Sequence, residues 1–197
     1  IDNLMGRIVR GLESINLQEN TIVLFTSDNG TSGYGKGSWI QERGQRVPMI
    51  VNCPGIVEPQ GGLDTLVDFS DVLPTLCDLA GVSIPDDYVI DGKSFADTLR
   101  GDHSDEREWI FSYYADRRML RDKRWLKDGS DRFYDCNGHR DEEGYKDVTD
   151  SNDPEVVAAK ERFRKILERL PSPNAQQEEY RVTTGPAPAP EPKKTSF

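Results

Sequence analysis

Thr21-Ile22-Val23-Leu24-Phe25-Thr26-Ser27-Asp28-Asn29-Gly30 is the stretch on which the reading of this 197-residue chain turns. Thr21 to Thr26 are β-branched or apolar without polar alternation, the mark of a strand buried on both faces, as in a parallel sheet. The run stops at Ser27-Asp28-Asn29-Gly30, a turn-forming quartet at the strand's carboxyl end. Ligands of open α/β sheets gather outside the carboxyl ends of strands. A carboxylate beside a carboxamide offers two hard oxygen ligands there, matched to Ca²⁺ or Mg²⁺ rather than Zn²⁺. The plain alternative is an Asx turn without a ligand, since Asp and Asn are common turn formers.

Upstream, Ile1, Leu4, Ile8, Leu12 and Ile15 step by three and four along one helical face. A helix feeding a buried strand is half of a βαβ repeat, whose first strand would precede Ile1. Downstream, Val47 to Cys53 reads as a second buried strand, stopped by Pro54-Gly55. Asp71 is placed to cap a helix that buries Val72, Leu76, Leu79 and Ala80 and closes at Gly81. A shorter helix runs from Ser94 to Leu99 and ends at Gly101.

Past residue 103 the texture changes to short strands and tight turns: Trp109–Tyr114, Arg117–Arg121, Arg124–Lys127 and Arg132–Cys136. Asp128-Gly129 is a two-residue hairpin signal, so a small antiparallel sheet is expected. Asp153-Pro154 then opens a helix with a cap and a proline at its first position. Its Val156, Ala159, Phe163, Ile166 and Leu170 recur at helical spacing, enough for a satellite core. Pro171 to Phe197 shows no periodicity and repeats Pro-Ala, as a disordered extension does. The expected division is therefore 1–102 for an α/β part, 103–170 for a small α+β subdomain, and 171–197 for the tail.

Composition narrows the function classes. With Lys+Arg 25 against Asp+Glu 35 the formal net charge is −10, which argues against a nucleic-acid partner or an anionic-membrane surface. No apolar window approaches the ~18 residues of a membrane span. Three cysteines cannot all pair within one chain, so a disulfide scaffold is not expected. Cys53 and Cys77 read as core thiols and Cys136 as a strand-end thiol, while His103 and His139 fall in polar turns at the surface. Arg117, Arg118, Arg121 and Lys123 are interleaved with acids and read as a solvated sheet edge. Gly30 to Lys36 imitates a P-loop, but Gly37 stands where the magnesium-binding hydroxyl belongs, and Gly44 interrupts the helix that should follow.

The wider string is more specific. Asp2 to Leu12, Asn20 to Gly30, Lys36-Gly37-Ser38, Arg46 to Val51, Pro54-Gly55, Asp68 to Gly81 and Asp91-Gly92-Lys93-Ser94 follow one another in that order. Together with Arg132-Phe133-Tyr134-Asp135, this series resembles the sulfatase family of the alkaline phosphatase superfamily, in its C-terminal portion. The resemblance implies a partial alkaline-phosphatase-like mixed or parallel sheet with flanking helices, plus a small antiparallel sheet packed with one helix. It implies that Asp28 and Asn29 are two ligands of a divalent metal, Ca²⁺ with Mg²⁺ as the alternative, and that Lys36 contacts the sulfate group. Asn29 favours this one-metal site over two-metal relatives, which place an imidazole there.

Two departures stand out. The family's aromatic-Glu-Gly-Gly stretch reads Trp39-Ile40-Gln41-Glu42-Arg43-Gly44 here, and Arg46 beyond it reads as a structural hydrogen-bonder. The formylglycine motif, Cys/Ser-x-Pro-x-Arg, surrounds none of the three cysteines, so the nucleophile is expected upstream of this chain. The implied reaction is hydrolysis of a sulfated small molecule or glycan, the chain alone being inactive and completed by the N-terminal part of the catalytic domain. A periplasmic, secreted or lysosomal site follows from family habit alone. The competing readings are a superfamily phosphodiesterase or phosphonate hydrolase, and a non-catalytic binding or structural module.

Overall fold

In a computed structural model, residues 1–30, 41–114, 116–139 and 144–170 are described. The three- and four-residue apolar spacing folds as α1, Asp2–Ser14. Asn16 ends it in the left-handed region at φ 55°, a conformation its short polar side chain tolerates. The apolar run then forms β1, Val23–Thr26, and the second run forms β2, Met49–Asn52, with a single helical turn, α2, Glu42–Gln45, between them.

The α/β class agrees with the sequence, but the pairing of these strands differs from the parallel expectation. β1 and β2 run antiparallel, with Val23 opposite Asn52 and Thr26 opposite Met49. They form a two-stranded sheet, so each has one neighbour among the described residues. That is why a run patterned for burial on both faces stays half-exposed, and why Ile50 on β2 faces outward.

The helix α3, Val72–Leu79, is present, but Asp71 is not its side-chain cap. Asp68 takes that role one turn earlier: it caps the 3-10 turn Phe69–Asp71 and completes a reciprocal capping box with Asp71. The Asp71 carboxylate is buried and accepts from the backbone N–H groups of Asp68 (2.8 Å) and Lys93 (2.7 Å), and from the Arg107 guanidinium. The buried side of α3 is also rotated from expectation. Pro74 and Thr75 are buried, Leu76 and Ala80 are exposed, and Val72 and Leu79 are half-buried. Polar contacts set that rotation. The Thr75 hydroxyl donates to Asp71 O (2.6 Å) and accepts from Phe95 N–H (3.0 Å), tying α3 to the segment leading into α4, Ala96–Leu99. At the crossing of these segments a Cβ on Gly92 would lie 1.9 Å from Ser70 O, so only glycine fits.

The remaining strands are β3, Trp109–Tyr114; β4, Arg117–Asp122; β5, Trp125–Lys127; β6, Phe133–Asp135; and β7, Lys146–Asp147. They form an antiparallel sheet in sequential order. The helix α5, Pro154–Arg169, covers it, with the Asp153 carboxylate accepting from Glu155 N–H (2.9 Å) at its start. Val156, Ala159, Phe163 and Leu167 of α5 meet Leu120, Trp125 and Phe133 of the sheet in one apolar core. Ile166 and Leu170 pack at its margin. Trp125 stacks on Phe133 at 5.7 Å, and Phe163 meets Phe133 edge-on at 5.2 Å.

Three local expectations change here. Asp128-Gly129 does not make a two-residue turn. The buried Asp128 carboxylate accepts from the N–H groups of Ser130 (2.8 Å) and Arg132 (3.0 Å), and Asp131 adopts φ 64°, widening the loop between β5 and β6. Arg121 is not on a solvated edge, because β4 is an inner strand and the Arg121 side chain is buried. The two-residue strand β7, wholly polar, was not foreseen.

His103 and His139 are exposed, as expected. Cys53 and Cys136 are buried free thiols and Cys77 is a half-buried one. Burial pushes the Cys136 thiol up to about 12, which suits a packing role and not a nucleophilic one. The 171–197 tail lies outside the described residues.

Candidate functional site

β1 delivers Ser27, Asp28 and Asn29 at its carboxyl end, where backbone pairing with β2 stops at Thr26. Asp28 is exposed, Asn29 half-buried and Gly30 buried. The Ser27 hydroxyl donates to Asn29 O (3.2 Å) and lies 3.5 Å from Asp28 Oδ1. Asn29 Nδ2 donates to Asp28 Oδ1 (3.2 Å) and to Gly30 O (3.3 Å). The two expected ligand residues are thus held against each other by their own side chains. Asp28 Oδ2 and Asn29 Oδ1 have no hydrogen-bond partner among the described residues.

These are two hard oxygens, one charged and one neutral, on a single turn. They fit part of the shell of a Ca²⁺ or Mg²⁺ ion, which takes about six or more oxygens. Among the described residues no group of three or more His, Cys, Asp or Glu side chains is placed to hold a metal. Asp28 and Asn29 fit the cation as a partial set. Lys36 lies within residues 31–40, outside the described residues.

The turn is anchored from behind. Gly30 N–H donates to Gly44 O (3.0 Å), joining the turn that carries Asp28 and Asn29 to α2. Arg46 is exposed, and its backbone N–H bonds Glu42 O (2.7 Å). α2 in turn is gripped by the C-terminal sheet. Glu42 Oε1 accepts from Arg121 Nε (3.2 Å), and Glu42 Oε2 accepts from the Tyr145 hydroxyl. The Arg121 guanidinium lies 5.6 Å from the centre of the Tyr145 ring. The Ser112 hydroxyl bonds Gln45 Oε1 at the other end of α2. The Glu42 side chain is 11% exposed and that of Arg121 8%. Burial, reinforced by Glu42, pushes the Tyr145 hydroxyl well above its ordinary range. Burial works against the Arg121 charge, yet Glu42 and its neighbours raise the net value.

Sequence reading missed this cluster. Glu42 stood out only as part of a departure from the family pattern, and its partners lie 79 and 103 residues away. No local spacing could have joined them.

A second polar cluster ties Gln60, Thr65, His103, Glu106 and Lys123. Glu106 Oε1 accepts from the Thr65 hydroxyl (2.8 Å) and sits 2.8 Å from His103 Nδ1, while Oε2 accepts from Lys123 Nζ (2.5 Å). His103 Nε2 lies 2.8 Å from Gln60 Oε1. Hydrogen bonds from Lys123 and His103 hold the Glu106 carboxyl down at about 2. Its groups are already partnered to one another, so it reads as a brace between the segment following β2 and the start of the C-terminal sheet.

Comparison with known proteins points one way. The family model for the C-terminal part of N-sulphoglucosamine sulphohydrolase matches residues 30–127. An arylsulfatase of Hemicentrotus pulcherrimus is 35% identical over 127 residues, covering 57% of this chain and 22% of that protein. A steryl-sulfatase of Mus musculus is 35% identical over 129 residues, covering 55% of this chain and 20% of that protein. The chain therefore spans about a fifth of the length of these relatives.

Two solved structures share the fold. One, from work on glycosaminoglycan metabolism in Bacteroides thetaiotaomicron, has a TM-score of 0.65 at 23% identity and covers 83% of this chain and 42% of its own. The other was solved with its substrate, D-glucosamine-2-N,6-O-disulfate. It has a TM-score of 0.57 at 21% identity and covers 93% of this chain and 39% of its own. The matched sequence makes this chain similar to the C-terminal portion of the sulfatase family, and the two solved structures share its fold.

Proposed function

We propose that the chain is the part of a sulfate-ester hydrolase that supplies two metal ligands and one sulfate contact. The observation that carries this reading is the Asp28–Asn29 pair, presented at the carboxyl end of β1 in a chain similar to this family. Asp28 would contribute the charged oxygen and Asn29 a neutral one. The Gly30–Gly44 bond keeps both on one turn. A bound Ca²⁺, with Mg²⁺ as the alternative, would neutralise charge on the sulfate oxygens. Lys36 would add a second positive group at the same anion, which matters in a chain of net charge −10 because the overall field repels such a substrate.

The substrate class we assign is a sulfated small molecule or glycan. The disulfated glucosamine bound by a fold neighbour supports that class. A formylglycine nucleophile would come from outside this chain, because Cys53, Cys77 and Cys136 lack its sequence context. The exposed apolar residues of α1, Leu4 and Ile8 among them, would be covered by the N-terminal part of the catalytic domain. By itself the 197-residue chain should turn over no aryl sulfate.

The test is Asp28→Ala in the complete enzyme, assayed on sulfate and phosphate esters side by side. Loss of sulfate-ester turnover in a folded variant supports the assignment. Full activity in Asp28→Ala removes Asp28 from the metal site. A wild-type preference for phosphate diesters or phosphonates replaces the sulfatase reading with its superfamily alternative.

A further inference from the structure

We infer that Glu42 is a positioning residue through which the C-terminal sheet sets the Asp28–Asn29 turn, an inference that rests on the metal-ligand reading of that pair. The starting point is the size of α2. A helix of four residues, Glu42–Gln45, has too few internal hydrogen bonds to hold its own orientation, so its anchors decide where it sits. Its side-chain anchors from the C-terminal sheet include Arg121 on β4 and Tyr145 beside β7, which share the two oxygens of Glu42, and Ser112 on β3, which holds Gln45.

Glu42 is the strongest of these links, since a nearly buried carboxylate meets a nearly buried guanidinium and a hydroxyl at once. The same short helix presents Gly44 O to Gly30 N–H, one residue beyond Asn29. Nothing bulkier intervenes, because both residues of that bond are buried glycines. A turn of α2 about its axis therefore carries Gly44 O away from Gly30 and loosens the ligand pair. In this arrangement the C-terminal sheet, which contributes none of the expected ligands, fixes the backbone that presents them.

Amide hydrogen exchange of the 197-residue chain, read at Gly30 with Phe163 in α5 as internal reference, tests the coupling without using catalysis. Glu42→Ala should speed exchange at Gly30 about ten-fold, the size expected for losing a charge-assisted hydrogen bond. Tyr145→Phe should do so by a smaller factor, with Phe163 unchanged in both. Unchanged Gly30 exchange in both variants overturns the inference. Equal acceleration at Gly30 and Phe163 overturns it as well, since that is general loss of stability. Should Glu42→Ala fail to fold by circular dichroism, Tyr145→Phe decides by the same criteria. Full activity of Asp28→Ala would remove the metal role and leave this coupling standing. Unchanged Gly30 exchange would do the reverse.

Discussion

In the C-terminal sheet and its helix, Leu120 and Phe163 are 0% and 1% exposed, whereas Leu4 and Ile8 on α1 are 59% and 51% exposed. Both sets of residues follow equally clear apolar periodicities. The difference is whether a partner surface lies within the described chain. β3 to β7 and α5 find their partners within residues 109–170 and close a core of their own. α1, β1 and β2 do not: α1 buries no residue, and the β1–β2 pair is flanked by no third strand among the described residues. What orders residues 58–108 is largely polar, the buried Asp71 carboxylate being its centre. The expected chemistry sits on the loosely packed side, and the Glu42 link gives it the rigidity of the packed one.

The largest effect should fall where the apolar core closes. Phe163→Ala removes the ring that meets Phe133 at 5.2 Å and should cost about 4 kcal/mol. Urea denaturation measures it, and a cost below about 1 kcal/mol would break the contrast between the two regions. Asp71→Ala comes next. It leaves the Arg107 guanidinium and the amides of Asp68 and Lys93 without their acceptor, for about 3 kcal/mol. If denaturation shows no loss, the polar centre is not what holds that region.

Much of the fold was legible because it follows from local pattern. The Val156, Ala159, Phe163 spacing and the Asp153-Pro154 start were enough to place α5, and short segments separated by tight turns located β3 to β6. The failures are instructive. Asp71 and Asp128 each looked like a local cap or turn former, but burial turns their carboxylates into acceptors for several groups at once. Arg121 carries the same formal charge as its neighbours Arg117 and Arg118. Only sheet order shows that it lies inside. At the candidate site, Asp28 and Asn29 could be singled out as expected ligands because both sit in one tetrapeptide after a strand. Glu42 was not, because its meaning depends on Arg121 and Tyr145.

A pH experiment sharpens the picture at the junction of the two regions. Glu106 is held at about 2 instead of 4.5, chiefly by Lys123 and then by His103. A carboxyl with a depressed folded value contributes its stability above the ordinary value and loses it as the pH falls through the folded one. The contribution is therefore complete above about 4.5 and disappears towards about 2. Because Lys123 is exposed, its size should stay below about 1 kcal/mol. Glu106→Gln should flatten that part of the acid limb in a stability–pH series. An identical limb in the variant would assign the acid sensitivity to other carboxylates.

The smallest effect is expected on α1, and it is informative because it is small. Ile8→Ala removes three carbons from a side chain that is already half in water, so little burial is lost within this chain. Alanine is also the better helix former, by a few tenths of a kcal/mol, which offsets part of that loss. The net change in unfolding free energy should lie within about 0.5 kcal/mol. The same substitution in the complete enzyme should cost about 2 kcal/mol or more, provided the α1 face is covered there as proposed. The pair of measurements thus reads the covering surface directly. A small cost in both settings would mean that the Leu4 and Ile8 face stays solvated and that the apolar periodicity of α1 serves something other than a catalytic-domain core. A large cost in the 197-residue chain alone would mean that α1 already has a partner within it, and the contrast between the two regions would fail.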